Sequence, residues 1–150
     1  MTIFSTIMML MIMIMMHIIS DYWLQTACNF HNLKQIKFWK DAIPEDDKPL
    51  SKSKYSHDYR VCLYEHAFSW AFCIELPLFI HYYIIRSNSS ISITVLLLLV
   101  VANTICHAMI DDYKANLFKI NLIQDQYFHF IQIIVTLGAY LVCCRGLIHG

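Results

Sequence analysis

Histidine and aspartate recur four residues apart at three places in the chain. The pairs are His17–Asp21, His107–Asp111 and Asp125–His129, and a fourth histidine is His66. Residues four apart lie on one face of an α-helix, so each pair offers an imidazole and a carboxylate side by side. On a rigid helix these two groups are suitable ligands for a divalent metal ion. The spacing therefore predicts a metal site where the helices that carry the pairs come together.

The set of candidate ligands is larger than one four-coordinate ion requires. It consists of His17, Asp21, His66, His107, Asp111, Asp125 and His129. Two explanations fit this number. Either some of these side chains hold the ligating imidazoles by hydrogen bonds, or two ions bind about 3.5–4 Å apart. Zinc is the expected metal, because imidazole and carboxylate are among its ordinary ligands.

Each of these residues also has a simpler interpretation. A single histidine near a membrane surface is an ordinary boundary residue, and Asp125 is placed to cap the helix that follows it. Asp21, Asp111 and Lys114 could equally be charges that face lipid headgroups. The shared site is therefore predicted from the repetition of the spacing on three helices, and not from any one residue.

The composition indicates a membrane protein. Hydrophobic residues make up 58% of the 150 residues and charged residues 15%, and the mean hydropathy is +0.50. The formal net charge is zero, so no basic excess favours nucleic acid as a partner, and the lipid bilayer is the expected one. The six cysteines show no C-x-x-C spacing and are expected to be reduced packing residues.

Four apolar runs are long enough to cross a hydrocarbon core of about 30 Å, which takes roughly 20 helical residues. They cover residues 3–20, 61–85, 91–111 and 126–145. The first run is not expected to be a cleaved signal peptide, because MTIFST holds no Lys or Arg and no A-x-A-like site follows. No alternating barrel pattern is present, so the runs predict helices. The expected fold is one all-α domain over residues 1–150, an integral membrane four-helix bundle.

The basic residues favour one orientation in the membrane. Nine of the 11 Lys and Arg residues lie in two long connections, residues 21–60 and 112–124. Residues 86–90 are a short turn, so the second and third helices are expected to form a hairpin. The positive-inside rule predicts that both long connections are cytoplasmic and that both termini are outside. All the candidate ligands then fall at cytoplasmic helix ends.

The first long connection contains an amphipathic segment. Three apolar residues, with Trp39 nearby, recur at helical spacing among three lysines: Phe30, Leu33 and Ile36, and Lys34, Lys37 and Lys40. This pattern predicts a short helix in the membrane interface with its lysines directed at anionic headgroups. Residues 42–58 are polar and contain two prolines, so they are expected to form a flexible loop.

Three stretches of the chain resemble a family of small bacterial and phage membrane proteins, the domain-of-unknown-function family numbered 3307. They read HIISDYWLQT, YEHAFSWAF and HAMIDDYKANLFKINLIQDQYFHF. The family pattern combines H-x3-D-x3-Q, a mid-chain histidine, H-x3-D-x2-K and D-Q-x2-H. It falls on His17, Asp21, Leu24, Gln25, His66, His107, Asp111, Lys114, Asp125, Gln126 and His129. The resemblance covers nearly the whole chain; the Lys-rich loop is longer than expected, and Asp112 adds a carboxylate.

The His/Asp layout of that family is similar to that of membrane-bound metal-dependent hydrolases. The similarity implies a divalent metal and a membrane-associated substrate, such as a phospholipid-like or isoprenoid-phosphate ester, at the bacterial inner membrane. In such an enzyme Asp111 would be a ligand or the general base. Lys114, with Gln25 and Gln126 in support, would orient the substrate or offset developing negative charge.

Two other functions are compatible with the same residues. The polar cluster could be a structural network in a non-enzymatic protein that binds a protein partner or a second copy of itself, as a phage or defence-type modulator would. Alternatively, the carboxylates and histidines could relay ions or protons, with Glu75 and His81 deeper in the membrane. In each case Glu75 is expected to pair with a polar side chain inside the bundle. Four histidines are outside the predicted cluster: His31, His57, His81 and His149.

Overall fold

The computed structural model describes residues 3–42, 57–85 and 93–145, and every regular element within these ranges is helical. The all-α fold is therefore confirmed. The predicted turn at 86–90 and almost all of the predicted loop at 42–58 lie outside the described residues. The elements are α1 (Ile3–Ile18), a π-helical turn π1 (Ile19–Leu24), α2 (Gln25–Ala27), α3 (Phe30–Leu33), α4 (Ile36–Ala42), α5 (Asp58–Ile85), α6 (Ile93–Ala115) and α7 (Leu122–Arg145).

Four helical segments are long and apolar enough to cross a membrane. They cover Ile3–Ala27, Asp58–Ile84, Ile93–Ala115 and Leu122–Cys144. Many of their apolar side chains point away from the bundle: Leu98 and Val135, for example, are 63% and 62% exposed. Such exposure is costly in water and normal in lipid. The protein is thus a multi-pass membrane protein.

The four spanning segments form a closed ring. Helix α5 packs against α1 and α6, and α7 packs against α6 and α1. Each contributes at least one large, fully buried apolar side chain to the centre of the bundle, among them Met13, Trp70, Leu96 and Ile133. Lipid tails are as apolar as these side chains, so the hydrophobic effect does not drive the helices together. The close packing of the side chains holds the bundle together instead.

The first spanning segment continues past its predicted end near residue 20 and runs without a break to Ala27. It contains the π-helical turn π1, in which each N–H bonds five residues back instead of four. This wider turn keeps residues four apart close to one line along the helix. His17, Asp21 and Gln25 are consequently all buried on the side that faces the bundle.

A chain segment after α2 folds back against the end of the bundle. Asn29 has a left-handed φ of 58°, which ends the first spanning segment and starts α3. Asn116, just past α6, fixes the segment: its Oδ1 accepts the Ile36 N–H at 2.8 Å, and its Nδ2 donates to the Lys34 carbonyl at 3.1 Å. The amphipathic segment is therefore two short helices, α3 and α4, that are tied to the bundle.

The prediction that the lysines of this segment all face lipid headgroups was wrong for Lys34. Lys37 and Lys40 are exposed, whereas Lys34 is only 4% exposed and forms an ion pair with Asp111. Its position between α3 and α4 turns it toward the helix ends, where a buried carboxylate is the stronger partner for an ammonium group than a solvated headgroup.

Candidate metal centre

Four histidines from four different helical segments meet at one end of the bundle. His17, His66, His107 and His129 are each at most 1% exposed. The ring centroid of His107 is 5.2 Å from that of His66 and 4.2 Å from that of His129, and His17 is 5.7 Å from His129. With Asp21, Asp111 and Asp125 they form what we call the His/Asp cluster, and all seven predicted ligands belong to it.

Three ligand atoms in this cluster have the spacing that a zinc ion needs. His66 Nε2 lies 3.3 Å from His107 Nε2 and 3.3 Å from Asp111 Oδ2, and the third edge, from His107 Nε2 to Asp111 Oδ2, is 3.7 Å. Tetrahedral ligands at zinc bond lengths of about 2.0–2.1 Å are about 3.3–3.4 Å apart. We call these three atoms the first ligand face.

A second ligand face begins at the other oxygen of the same carboxylate. His129 Nε2 lies 3.6 Å from Asp111 Oδ1 and 3.4 Å from Asp125 Oδ1. All three of these atoms are buried and have no hydrogen-bond partner within the part of the chain that the structure describes. Buried polar atoms without partners are rare and costly. This face is therefore completed by a cation, which is either a metal ion or a proton on His129 that pairs the imidazolium with both carboxylates.

Two lysines balance the charge of the cluster. Lys34 contacts Asp111 Oδ2, and Lys114 contacts Asp125 Oδ2 at 2.5 Å. Lys34 is the more buried of the two, with 5% of its side chain exposed against 31% for Lys114. In both pairs the ammonium group binds Oδ2 of the carboxylate, and no described residue donates a hydrogen bond to the other oxygen, Oδ1.

His17 has a different position from the other three histidines. Its Nδ1 accepts a hydrogen bond from the indole N–H of Trp70 at 2.8 Å, and its Nε2 lies 3.0 Å from Gln126 Oε1. Both ring nitrogens thus have protein partners, which fixes a neutral ring with its proton on Nε2. His17 therefore belongs to neither ligand face in this structure, and its expected role as a ligand stays a prediction.

The two predicted supporting glutamines link the carboxylates to the histidines. Gln126 donates through Nε2 to Asp21 Oδ2 at 2.9 Å and to Asp125 Oδ2 at 3.1 Å. Gln25 Nε2 lies 3.3 Å from Asp21 Oδ1 and 3.1 Å from His66 Nε2. Asp21 is also close enough to His107 and His129 to share an ion with them. Its two oxygens accept hydrogen bonds from these amides, just as Asp111 Oδ2 and His66 Nε2 of the first ligand face have Lys34 and Gln25 as partners.

Sequence reasoning missed Lys34 and Trp70 as members of the site. The Trp70 ring also stacks on His107, with centroids 4.1 Å apart and planes 19° from parallel. One signal could have indicated it: Trp70 follows His66 by four residues and so shares its helix face. No local pattern points from Lys34 to Asp111, because the two are 77 residues apart.

The remaining histidines lie away from the cluster, as predicted for those that the structure describes. His31 and His57 are exposed, and His149 is outside the described residues. His81 Nδ1 lies 2.7 Å from the hydroxyl oxygen of Tyr140.

Comparison with protein-family models, with curated proteins and with solved structures finds no match to this chain.

Proposed function

We propose that the His/Asp cluster binds two divalent metal ions, zinc being the best fit, and that the protein is a metal-dependent hydrolase of a membrane-associated phosphate ester. The observation that supports this most directly is the pair of ligand faces that share Asp111. One face uses its Oδ2 and the other its Oδ1, and a carboxylate that offers one oxygen to each side can bridge two ions.

The chemistry of the ligands favours zinc or a similar borderline metal. Three imidazoles and two carboxylates make up the two faces, and such mixed nitrogen and oxygen sites suit zinc better than calcium or magnesium, which prefer oxygen alone. Three protein ligands per ion also leave a fourth position open, as catalytic zinc sites require. An ion held there would lower the pKa of a bound water toward about 7 and supply a nucleophile at neutral pH.

The residues around the two faces suit an anionic substrate. Lys34 and Lys114 place two ammonium groups beside the ligating carboxylates, where they would offset negative charge that develops on a phosphate ester. With an oxygen at each face, Asp111 takes the first of its two expected roles, that of a ligand, and not that of the general base. A relation to family 3307, and through it to membrane-bound metal-dependent hydrolases, is part of the same proposal and rests on the His/Asp motifs alone, since no family model matches the chain.

The site would face the cytoplasm of a bacterial cell. This orientation follows from the positive-inside rule, because nine of the 11 basic residues lie in the connections at the end of the bundle where the cluster is. The substrate would then be a lipid phosphate whose headgroup reaches the site from the inner leaflet, with both termini of the chain on the outer side.

Elemental analysis of the protein, purified in mild detergent and dialysed against zinc, tests the metal site. We expect two zinc ions per chain, and neither in Asp111→Asn, because that carboxylate belongs to both faces. The matched control is Asp112→Asn: Asp112 Oδ1 accepts from Asn116 Nδ2 and Asp112 is in neither face, so this variant should keep both ions. A wild-type protein that retains no zinc after this loading would refute the proposal.

Hydrolysis is tested separately with vesicles that contain phosphatidic acid or a polyprenyl diphosphate. We expect the release of inorganic phosphate, its loss on addition of a chelator, its return with zinc, and no activity in Asp111→Asn. Stoichiometric zinc with no phosphate release from either lipid would retain the metal site and reject this substrate class.

A structural polar network is the second candidate, and one observation favours it. Asp21, Asp111 and Asp125 each already accept at least one hydrogen bond from a lysine or glutamine, so the cluster is partly satisfied without metal. Interhelical hydrogen bonds of this kind stabilise a membrane bundle by about 0.6 kcal/mol on average and up to about 1.7 kcal/mol. If this is the whole role, His107→Ala should lower stability or abolish partner binding, with no zinc in either protein.

A further inference from the structure

A second group of buried polar side chains lies deeper in the bundle, on α5, α6 and α7. It consists of Glu75, Asn103, Gln132 and Thr136, and we call it the Glu75 cluster. Glu75 has no exposed surface, and the other three are at most 9% exposed. Since Glu75 follows His66 by nine residues of helix, it lies about 13.5 Å further along α5, well inside the hydrocarbon region.

Asn103 is the hub of the Glu75 cluster. Its Nδ2 donates to Glu75 Oε1 at 2.7 Å and to Thr136 Oγ1 at 2.9 Å. Its Oδ1 accepts from Gln132 Nε2 at 2.8 Å, and Thr136 Oγ1 lies 3.1 Å from it. The expectation that Glu75 pairs with a polar side chain inside the bundle thus finds its partner in Asn103.

Two oxygens of this cluster remain without a partner. Within the described residues, nothing donates a hydrogen bond to Glu75 Oε2 or to Gln132 Oε1, although both are buried. Nor do the described ranges of the chain bring an ammonium, guanidinium or imidazole group into an ion pair with the Glu75 carboxylate. The cluster side chains on α6 and α7 are Asn103, Gln132 and Thr136, and none of these can carry a charge. The buried side chains that α1 adds to the adjoining core are Met9 and Met13, which are also uncharged.

An isolated carboxylate in hydrocarbon is among the most expensive groups to bury. The protein can meet this cost only with a positive charge close to the carboxylate. A single charge is the right amount, because the other oxygens of the cluster are neutral and a divalent ion would leave a net charge of +1 in the membrane. All the ligand atoms are oxygens, which suits a hard monovalent cation and not zinc.

We propose that Glu75, Asn103, Gln132 and Thr136 form a binding site for one monovalent cation, either a proton or Na⁺. The free Glu75 Oε2 and Gln132 Oε1 provide the acceptors that this cation completes. The site goes beyond the proposed hydrolase: it uses different residues and a different ligand class, and its test does not involve catalytic activity.

The experiment measures the midpoint of thermal unfolding of the full chain in detergent, with a chelator present throughout to keep zinc away from the His/Asp cluster. Wild type and Glu75→Gln are compared in NaCl and in choline chloride at equal ionic strength, and then over a range of pH. Glutamine keeps the shape of the side chain and removes its charge, so it imitates the neutralised state.

If the cation is Na⁺, wild type should be stabilised by NaCl over choline chloride at fixed pH, and Glu75→Gln should not. If the cation is a proton, wild type should lose stability relative to Glu75→Gln as the pH rises, because the folded state then has to release a bound proton. Any pH dependence that remains in Glu75→Gln belongs to the His/Asp cluster.

The proposal is refuted if wild type and Glu75→Gln respond alike to both Na⁺ and pH. Should Glu75→Gln fail to fold, Glu75→Asp gives the same reading. Aspartate keeps the charge but shortens the side chain by one methylene group, which weakens the site. The unfolding midpoint of Glu75→Asp should therefore respond to the same cation as wild type, but at a higher concentration of that cation. An unchanged response in Glu75→Asp would likewise refute the site.

Discussion

The His/Asp cluster and the Glu75 cluster share α5, α6 and α7 but differ in how they balance charge. The His/Asp cluster holds three carboxylates and pairs two of them with lysines, one of which comes from the segment outside the bundle. The Glu75 cluster holds one carboxylate and surrounds it with amides and a hydroxyl. The difference follows from depth, because only a cluster at the helix ends can be reached by a lysine in a connection, such as Lys34, or in the last turn of a helix, such as Lys114.

The same difference separates the two ligand chemistries. Nitrogen and oxygen atoms at about zinc spacing occur only at the helix ends among the described residues, and an all-oxygen set occurs deeper. The chain thus has the means to hold a divalent metal at one membrane face and a single positive charge inside the membrane. The predictions below change one cluster at a time and ask whether the other responds.

The largest effect is expected from Lys34→Met. This change leaves Asp111 buried without its ammonium partner, and breaking a buried ion pair in this way costs about 3–5 kcal/mol. The metal-free protein should therefore be strongly destabilised to chemical unfolding. Excess zinc should restore much of the loss, because the metal supplies the missing positive charge.

Lys114→Met is the matched control for Lys34→Met. The Lys114 side chain is 31% exposed, and Asp125 keeps the hydrogen bond from Gln126 in this variant. The loss of unfolding free energy should therefore be smaller than in Lys34→Met. Equal losses in the two variants, or a loss in Lys34→Met that zinc leaves unchanged, would show that the Lys34 pair does not lie at the metal site. In neither variant should the Na⁺ or pH response of Glu75 change.

The helices and most of the His/Asp cluster could be predicted from the sequence because their signals are local. Apolar runs of about 20 residues give the spans, and the i, i+4 spacing puts His107 and Asp111 on one face of α6. The amphipathic pattern around Lys34 is also local, and it predicted lipid headgroups as the partner of Lys34. This prediction was wrong because the attraction of a distant buried carboxylate leaves no trace in the neighbouring residues. Only tertiary structure joins Lys34 to Asp111.

The Glu75 cluster had a signal that the sequence analysis did not use. Asn103 precedes His107 by four residues, and Gln132 and Thr136 follow His129 by three and seven. Each of these polar residues therefore lies on the same helix face as a histidine of the cluster. The partner of Glu75 could have been sought on those faces. The pairing with Asn103 itself depends on the relative shift of α5 and α6 along the bundle axis, which the sequence does not give.

A medium effect is expected from Asn103→Leu. The change removes the hub of the Glu75 cluster and leaves Glu75 Oε1 without its donor, which costs about 1–3 kcal/mol. The amide of Gln132 loses Asn103 Oδ1 but still donates to the backbone carbonyl of residue 103 at 2.8 Å. Thr136→Val is nearly isosteric, removes only the hydroxyl, and should cost about 0.6 kcal/mol and at most about 1.7. Unfolding in detergent compares the two, and zinc stoichiometry should be normal in both. If Asn103→Leu also lost zinc, the two clusters would be one coupled network and the comparison would fail.

Trp70→Phe should leave zinc binding unchanged, and it tests whether His17 is a support or a ligand. Phenylalanine keeps an aromatic ring against His107, but it removes the indole N–H that donates to His17 Nδ1 at 2.8 Å, together with the second ring of a fully buried side chain. Stability should fall through both the lost hydrogen bond and the cavity, and both zinc ions should remain, because no atom of either ligand face is removed. His17→Gln should likewise keep both ions, since an amide can still meet Gln126. If His17→Gln lost an ion while Trp70→Phe kept both, then His17 would have to turn from Trp70 toward the metal when zinc binds, and the site would extend from the described faces to α1.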